Sequence, residues 1–166
     1  MDNVTTYDEI LDLALISIKD YRLNNLYVED IVDFTIMMEG FMFRGLPNFD
    51  NCVQDLTDRT ATIIDESGET SVITSGYFNF VMTDLEKSII ADYTVIAWFD
   101  KEINDITRIA GMLQNKNEAH RYSEANLLTA KRNRRIDMIE DVNQKKTNYG
   151  LLNTSFSSWA DGDYGI

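Results

Sequence analysis

Thr83-Asp84-Leu85-Glu86-Lys87-Ser88-Ile89-Ile90-Ala91-Asp92-Tyr93-Thr94-Val95-Ile96-Ala97-Trp98-Phe99 is the stretch that decides the fold. Thr83 followed three residues later by Glu86 is a capping box, in which each side chain accepts from the other residue's free backbone amide at a helix start. Ile89, Ile90, Tyr93, Ile96 and Ala97 then recur at three- and four-residue spacing, which turns one helical face toward a core. Ile103 to Leu113 continues the helix with room for a kink, and Asn115 and Asn117 mark a loop. Ser123 is placed to cap a long final helix whose apolar residues are Leu127, Leu128, Met138, Ile139 and Val142.

Upstream, Thr5 with Asp8 forms a weaker capping box, since Asp is shorter than the usual Glu. Ile10, Leu13, Ala14, Ser17, Ile18 and Tyr21 line one face of the helix it opens, and Leu23-Asn24-Asn25 breaks it. A second helix is expected from about Tyr27 to Arg44. Glu29, Asp30 and Asp33 stand near its positive end, Ile31, Phe34, Thr35, Met38 and Phe41 lie at core spacing, and Gly45 and Pro47 stop it. Between these helical parts, Thr60-Ala61-Thr62-Ile63-Ile64 and Ser71-Val72-Ile73-Thr74 are β-branched runs around Asp65-Glu66-Ser67-Gly68-Glu69, a β-hairpin pattern. A two-stranded ribbon is marginal alone in water, so it must lie on the body of the protein or on another subunit. Ile63, Ile64, Val72 and Ile73 are its candidate contact residues.

The fold expected is therefore mostly α: a bundle of four to five helices over residues 1–148, with a hairpin insertion at about 60–81 and an extended C-terminal arm over 149–166. From Tyr149 onward, Gly, Ser and Asn are interrupted by single large apolar residues without periodicity. Two readings of this tail stand side by side. It packs back on its own domain, or it lies across a neighbour's grooves with Phe156, Trp159 and Tyr164 as anchors.

Composition bounds the function. At 166 residues with 44% hydrophobic side chains, one domain can bury a core without staples. The longest apolar runs, such as Tyr93 to Phe99, are too short to span a bilayer, and Met1-Asp2-Asn3 lacks a signal-peptide pattern, so a soluble protein made in a reducing cytoplasm is expected. Residues 1–100 hold 19 acids and 5 bases, a net of −14, while residues 101–166 hold 9 acids and 10 bases, a net of +1. The acidic first part repels phosphates, which argues against sequence-specific DNA binding there and permits DNA to slide past or a basic partner to dock.

Catalytic signatures are absent from the sequence. One histidine and one cysteine leave no Cys/His zinc set and no pair of Glu-x-x-His helices for a di-iron site. There is no phosphate-cradling Gly-rich loop, no Gly-x-Ser-x-Gly elbow and no His-Glu-x-x-His. His120 stands in a polar stretch as a surface residue, and Cys52 beside Val53 reads as a small buried apolar residue. Asp161-Gly162-Asp163 is only a fragment of a calcium loop, and Asp65, Glu66 and Glu69 read as a hydrated turn. No cofactor, metal or enzymatic activity is expected. Lys131, Arg132, Arg134 and Arg135 form the one basic cluster, spread around a helix; they read either as a solvated face or as the charge that meets the acidic part of a neighbouring subunit.

Three segments together carry a resemblance: Phe49-Asp50-Asn51-Cys52-Val53-Gln54-Asp55-Leu56-Thr57-Asp58-Arg59, the stretch from Met82 to Phe99, and Tyr122-Ser123-Glu124-Ala125-Asn126-Leu127-Leu128. Their order and content resemble the head-to-tail connector, or neck adaptor, proteins of tailed bacteriophages that infect Gram-positive bacteria. The resemblance implies a structural virion protein, made in the host cytoplasm and placed in the neck. It implies a homo-oligomeric ring, commonly dodecameric, that joins the portal above to a further neck or tail-completion protein below and lets DNA pass through its channel. The segment Thr60 to Phe80 and the tail after Tyr149 are longer than that pattern. A rival reading from charge alone is a small acidic regulator that mimics DNA and blocks a basic nucleic-acid-binding partner.

Overall fold

The computed structural model describes residues 4–18, 21–65, 72–112 and 118–154, with the side chains of 21–22, 108–112 and 118–124 outside that set. Its elements in chain order are β1 (Thr5–Thr6), α1 (Tyr7–Ser17), α2 (Tyr21–Glu29), α3 (Ile31–Gly45), a 3-10 turn (Leu46–Asn48), β2 (Arg59–Thr60), β3 (Ile63–Asp65), β4 (Val72–Thr74), β5 (Tyr77–Phe78), α4 (Asp84–Met112) and α5 (Glu118–Asn153). It is the expected helical bundle with short antiparallel strands, and α4 packs against α1, α3 and α5.

The Thr83 capping box forms as the sequence dictates. Thr83 N donates to Glu86 Oε2 at 2.7 Å, and Glu86 N donates to Thr83 Oγ1 at 3.3 Å. From Tyr93 to Trp98 every residue of α4 is buried, on all sides of the helix, because neighbours cover its whole circumference. The helix continues unbroken through Asp100 and Lys101 to Met112.

The first helix starts one residue later than its spacing suggests. Thr6, not Thr5, is the cap, with Thr6 N donating to Glu9 Oε1 at 3.2 Å and Glu9 N donating to Thr6 Oγ1 at 3.4 Å. Thr5 is instead committed to the sheet: it pairs with Phe78, and its buried hydroxyl accepts from Met82 N at 2.8 Å. The core face is accordingly Tyr7, Ile10, Leu11, Ala14 and Ile18, while Leu13 is exposed.

The expected break at Leu23-Asn24-Asn25 lies inside α2, and the expected single helix Tyr27 to Arg44 is divided at Asp30. The Asp30 carboxyl group accepts from Asp33 N at 2.9 Å, so this residue ends one helix and caps the next. Phe34, Met38, Phe41, Met42 and Gly45 then form the buried ridge of α3.

The run Thr60 to Ile64 is also divided. Thr60 belongs to a three-stranded sheet of order β1-β5-β2, whereas Ile63 to Asp65 pairs with β4 in a separate ribbon, with registers Ile63↔Thr74, Ile64↔Ile73 and Asp65↔Val72. The last helix begins at Glu118, so Ser123 falls within it, and it runs past residue 149 to Asn153. Residues 155–166, with the candidate anchors Phe156, Trp159 and Tyr164 and the Asp161-Gly162-Asp163 fragment, lie outside the described residues.

Gly45 sets the distance between α3 and α4. A Cβ there would lie 2.9 Å from Tyr93 Cβ and 3.0 Å from the Tyr93 carbonyl carbon and oxygen, so two backbones would have to part. Gly40 on the same helix has nothing within 4 Å. Gly45→Ala is expected to destabilise by about 1–3 kcal/mol through overpacking. Gly40→Ala is expected to stabilise by about 0.5–1 kcal/mol through helix propensity. Urea unfolding with an unchanged slope checks both.

Candidate functional site

The ribbon is attached to the helices through a buried hinge. Glu39 on α3, although only 8% exposed, accepts a hydrogen bond from Thr62 Oγ1, and Thr62 Oγ1 accepts from Gly76 N at 2.7 Å. Thr62 precedes β3 and Gly76 follows β4, so one carboxyl group ties both legs of the ribbon to α3. A Cβ on Gly76 would meet the Tyr7 ring at 2.3 Å and Thr60 O at 2.6 Å, which restricts this crossing point to glycine. Tyr7 lies edge-on to Phe43 and Phe78, and its hydroxyl oxygen is, among the described residues, the one buried side-chain polar atom without a hydrogen-bond partner.

Burial raises the Glu39 carboxyl above its ordinary range and nearby Asp8 adds to this, while the Thr62 bond opposes it. The folded protein therefore holds this proton to higher pH than the unfolded chain. Its contribution is present at low pH and is lost as pH rises through the raised value. Glu39→Gln keeps an acceptor for Thr62 and removes the titration. The variant is expected to gain thermal stability over the parent at pH 7–8, with the gain shrinking as pH falls toward the ordinary glutamate value of about 4.3, below which both states of the parent hold the proton. Melting curves across this pH range check this.

Beyond the hinge the four candidate hairpin residues divide by face. Ile64 and Ile73 pair across the ribbon and are half-buried, while Ile63 and Val72 are 61% and 60% exposed on the opposite face. Ile73 also lines a groove of about 370 Å³ between α1, α2, α3 and the ribbon. Leu11, Leu15 and Phe34 give the groove an apolar floor, Tyr27 and Ile31 one wall, and Asp8 and Asp12 the other. Beside it Tyr27, Ile31 and Val28, the last 82% exposed, leave apolar surface uncovered in this chain. Neither Asp8 nor Asp12 makes an ion pair among the described residues. Sequence periodicity missed the groove because its lining comes from four elements; the one available signal was α2, whose apolar residues exceed what a single face needs.

The four candidate bases do not act as one cluster. Lys131 Nζ bonds Glu102 Oε2 at 2.7 Å and lies 5.4 Å from the Trp98 ring centroid, and Arg135 Nε bonds Asp100 Oδ1 at 2.5 Å. Lys145 adds a third link, to Asp92 Oδ2 at 2.5 Å and Ser88 Oγ at 2.8 Å. Lys131 and Arg135 thus pair with α4 of their own chain and are not part of a fully solvated face. Arg132 and Arg134 remain exposed, with no ion pair among the described residues.

Tyr149, read as the start of an arm, is a core residue. Its hydroxyl donates to Glu86 Oε1 at 2.6 Å and accepts from Val53 N at 3.0 Å, and its ring lies edge-on to Phe49. Burial and then the Glu86 bond push this phenol well above its ordinary value, so it stays a donor. Cys52 lies 4.0 Å from Glu86 Oε1, and burial raises its thiol, which keeps it from acting as a thiolate. Lys146 bonds Asp50 Oδ1 at 2.6 Å and Asn48 O at 2.8 Å, fastening the same loop to α5 and holding the Asp50 carboxyl below its usual range. Tyr149→Phe leaves Val53 N and Glu86 short of a partner and is expected to cost about 1–3 kcal/mol in urea unfolding.

Among the described residues no group of three or more His, Cys, Asp and Glu is arranged to hold a metal ion, and no helix is long and apolar enough to cross a membrane. The side chain of His120 lies outside the described set. No family model matches the chain, and neither a curated protein nor a solved structure matches it.

Proposed function

We propose that the chain is a structural virion protein: the subunit of an adaptor ring in the neck of a tailed phage, joining the portal to the tail and lining the channel through which DNA passes. The observation that carries this reading is exposed apolar surface in two places, Tyr27, Val28 and Ile31 on α2 and the start of α3, and Ile63 and Val72 on the outer face of the ribbon. Apolar surface of this kind beside polar rims marks a site of protein association. A ribbon held at a hinge, with Ile63 and Val72 outward, suits a neighbour that completes what two strands lack. The acidic character of residues 1–100 suits a wall that DNA passes without sticking. The homo-oligomeric ring, the portal and a tail-completion protein are the partners this reading requires, and catalysis is not part of it. The DNA-mimicking regulator draws on charge alone and leaves the apolar surface without a purpose.

Light scattering of the chain alone and mixed with the portal tests the proposal. Full-length protein is expected to join the portal in a fixed multiple. Ile63→Thr with Val72→Thr, both exposed and still β-branched, is expected to lower that association by about tenfold or more, as loss of apolar anchors does, with melting curves to show that the variant folds. Removal of residues 155–166, which spares α5, reports separately on the arm. Absence of any association, with tight salt-sensitive binding to a DNA-binding protein instead, would support the regulator.

A further inference from the structure

The groove and the free bases of α5 are complementary. Along α1 an acidic row, Asp8 and Asp12, runs beside the apolar row Leu11 and Leu15. On α5, Arg132 and Ile136 are one helical turn apart on a shared face, both exposed, with Ile136 at 52%. We propose that the groove receives this face of α5 from a second copy, with Ile136 on the apolar floor and Arg132 against Asp8 and Asp12. The inference rests on the ring reading and names the contact that would build the ring.

Three observations favour this occupant. With side chains a helix is about 10–12 Å across, so a groove of about 370 Å³ takes side chains from a helix lying over it and not the helix itself. The chain's own segment 155–166 carries Asp161, Asp163 and no base, so the acidic wall disfavours it. The division of the four bases leaves Arg132 available, since Lys131 and Arg135 are held by α4 of their own chain. Groove and stripe are different surfaces of one chain, so unless two copies exchange the contact reciprocally about a two-fold axis it is head-to-tail. A head-to-tail contact propagates from copy to copy, and the ring reading requires that its rotation close.

Two single-cysteine chains in a Cys52→Ser background test the contact, one with Asp12→Cys and the other with Arg132→Cys. Mixed under mild oxidation, they are expected to give a disulfide-linked heterodimer, while Asp12→Cys mixed with Asp137→Cys, on another face of α5, gives none. In sedimentation, Asp12→Lys and Arg132→Glu are each expected to weaken self-association by about tenfold, the size of a close charge-pair coupling, and the two combined in one chain to restore it. Asp12, Arg132 and Asp137 are exposed, Cys52→Ser changes a half-buried thiol to a hydroxyl of similar size, and melting curves confirm that the variants fold. Association that survives both charge reversals, or cross-linking at Asp137 as readily as at Arg132, overturns the groove contact and leaves the ring reading standing. Association lost on removing 155–166 yet indifferent to Asp12→Lys assigns the groove to the arm and likewise overturns it. A chain that associates neither with itself nor with the portal removes both readings.

Discussion

The buried carboxyl group of Glu86 is where three separate parts of the chain meet. One oxygen closes the cap of α4 by accepting from Thr83, and the other takes the Tyr149 hydroxyl near the end of α5, with the Cys52 thiol alongside. A capping glutamate is ordinarily solvated. Here it is 3% exposed, and the donors around it replace the water it has lost. The start of the central helix, the end of the last helix and the loop after the 3-10 turn are positioned together, and the bundle is built outward from that junction.

From there the α4–α5 pair runs as an antiparallel seam with polar rungs. Tyr149 meets Glu86, Lys145 meets Asp92, Arg135 meets Asp100 and Lys131 meets Glu102, with Val142 and Met138 packed between. Such partly buried pairs add little net stability against an apolar alternative. Their effect lies in register: sliding one helix by a turn would leave several half-buried charges unpaired. This also explains why α5 lacks a clean apolar stripe, since cations occupy its inward positions.

The same arrangement shapes the surface. Because α4 takes up the inward bases Lys131, Arg135 and Lys145 of α5, Arg132 and Arg134 are left exposed and without an ion pair among the described residues, as are Asp8 and Asp12 of α1 beside the groove. The hinge of Glu39, Thr62 and Gly76 places the ribbon so that Ile73 closes that groove and Ile63 and Val72 face outward. The interior pairing thereby decides which residues are left for other chains.

Local chemistry by itself determined the helical class, the Thr83–Glu86 cap, the end of α3 just before Leu46-Pro47, and the hairpin in which Ile64 pairs with Ile73. Each depends on residues close along the chain, adjacent or a helical turn apart in the helices and across one short connection in the hairpin. Only the tertiary structure decided that Thr5 joins a sheet and yields the cap to Thr6, and that Lys131 and Arg135 turn inward. The groove and the Glu86–Tyr149 junction belong with these. They depend on partners tens of residues away, and periodicity cannot tell a cation facing a buried carboxyl group from one facing water, because the side chain is the same and only its neighbour differs.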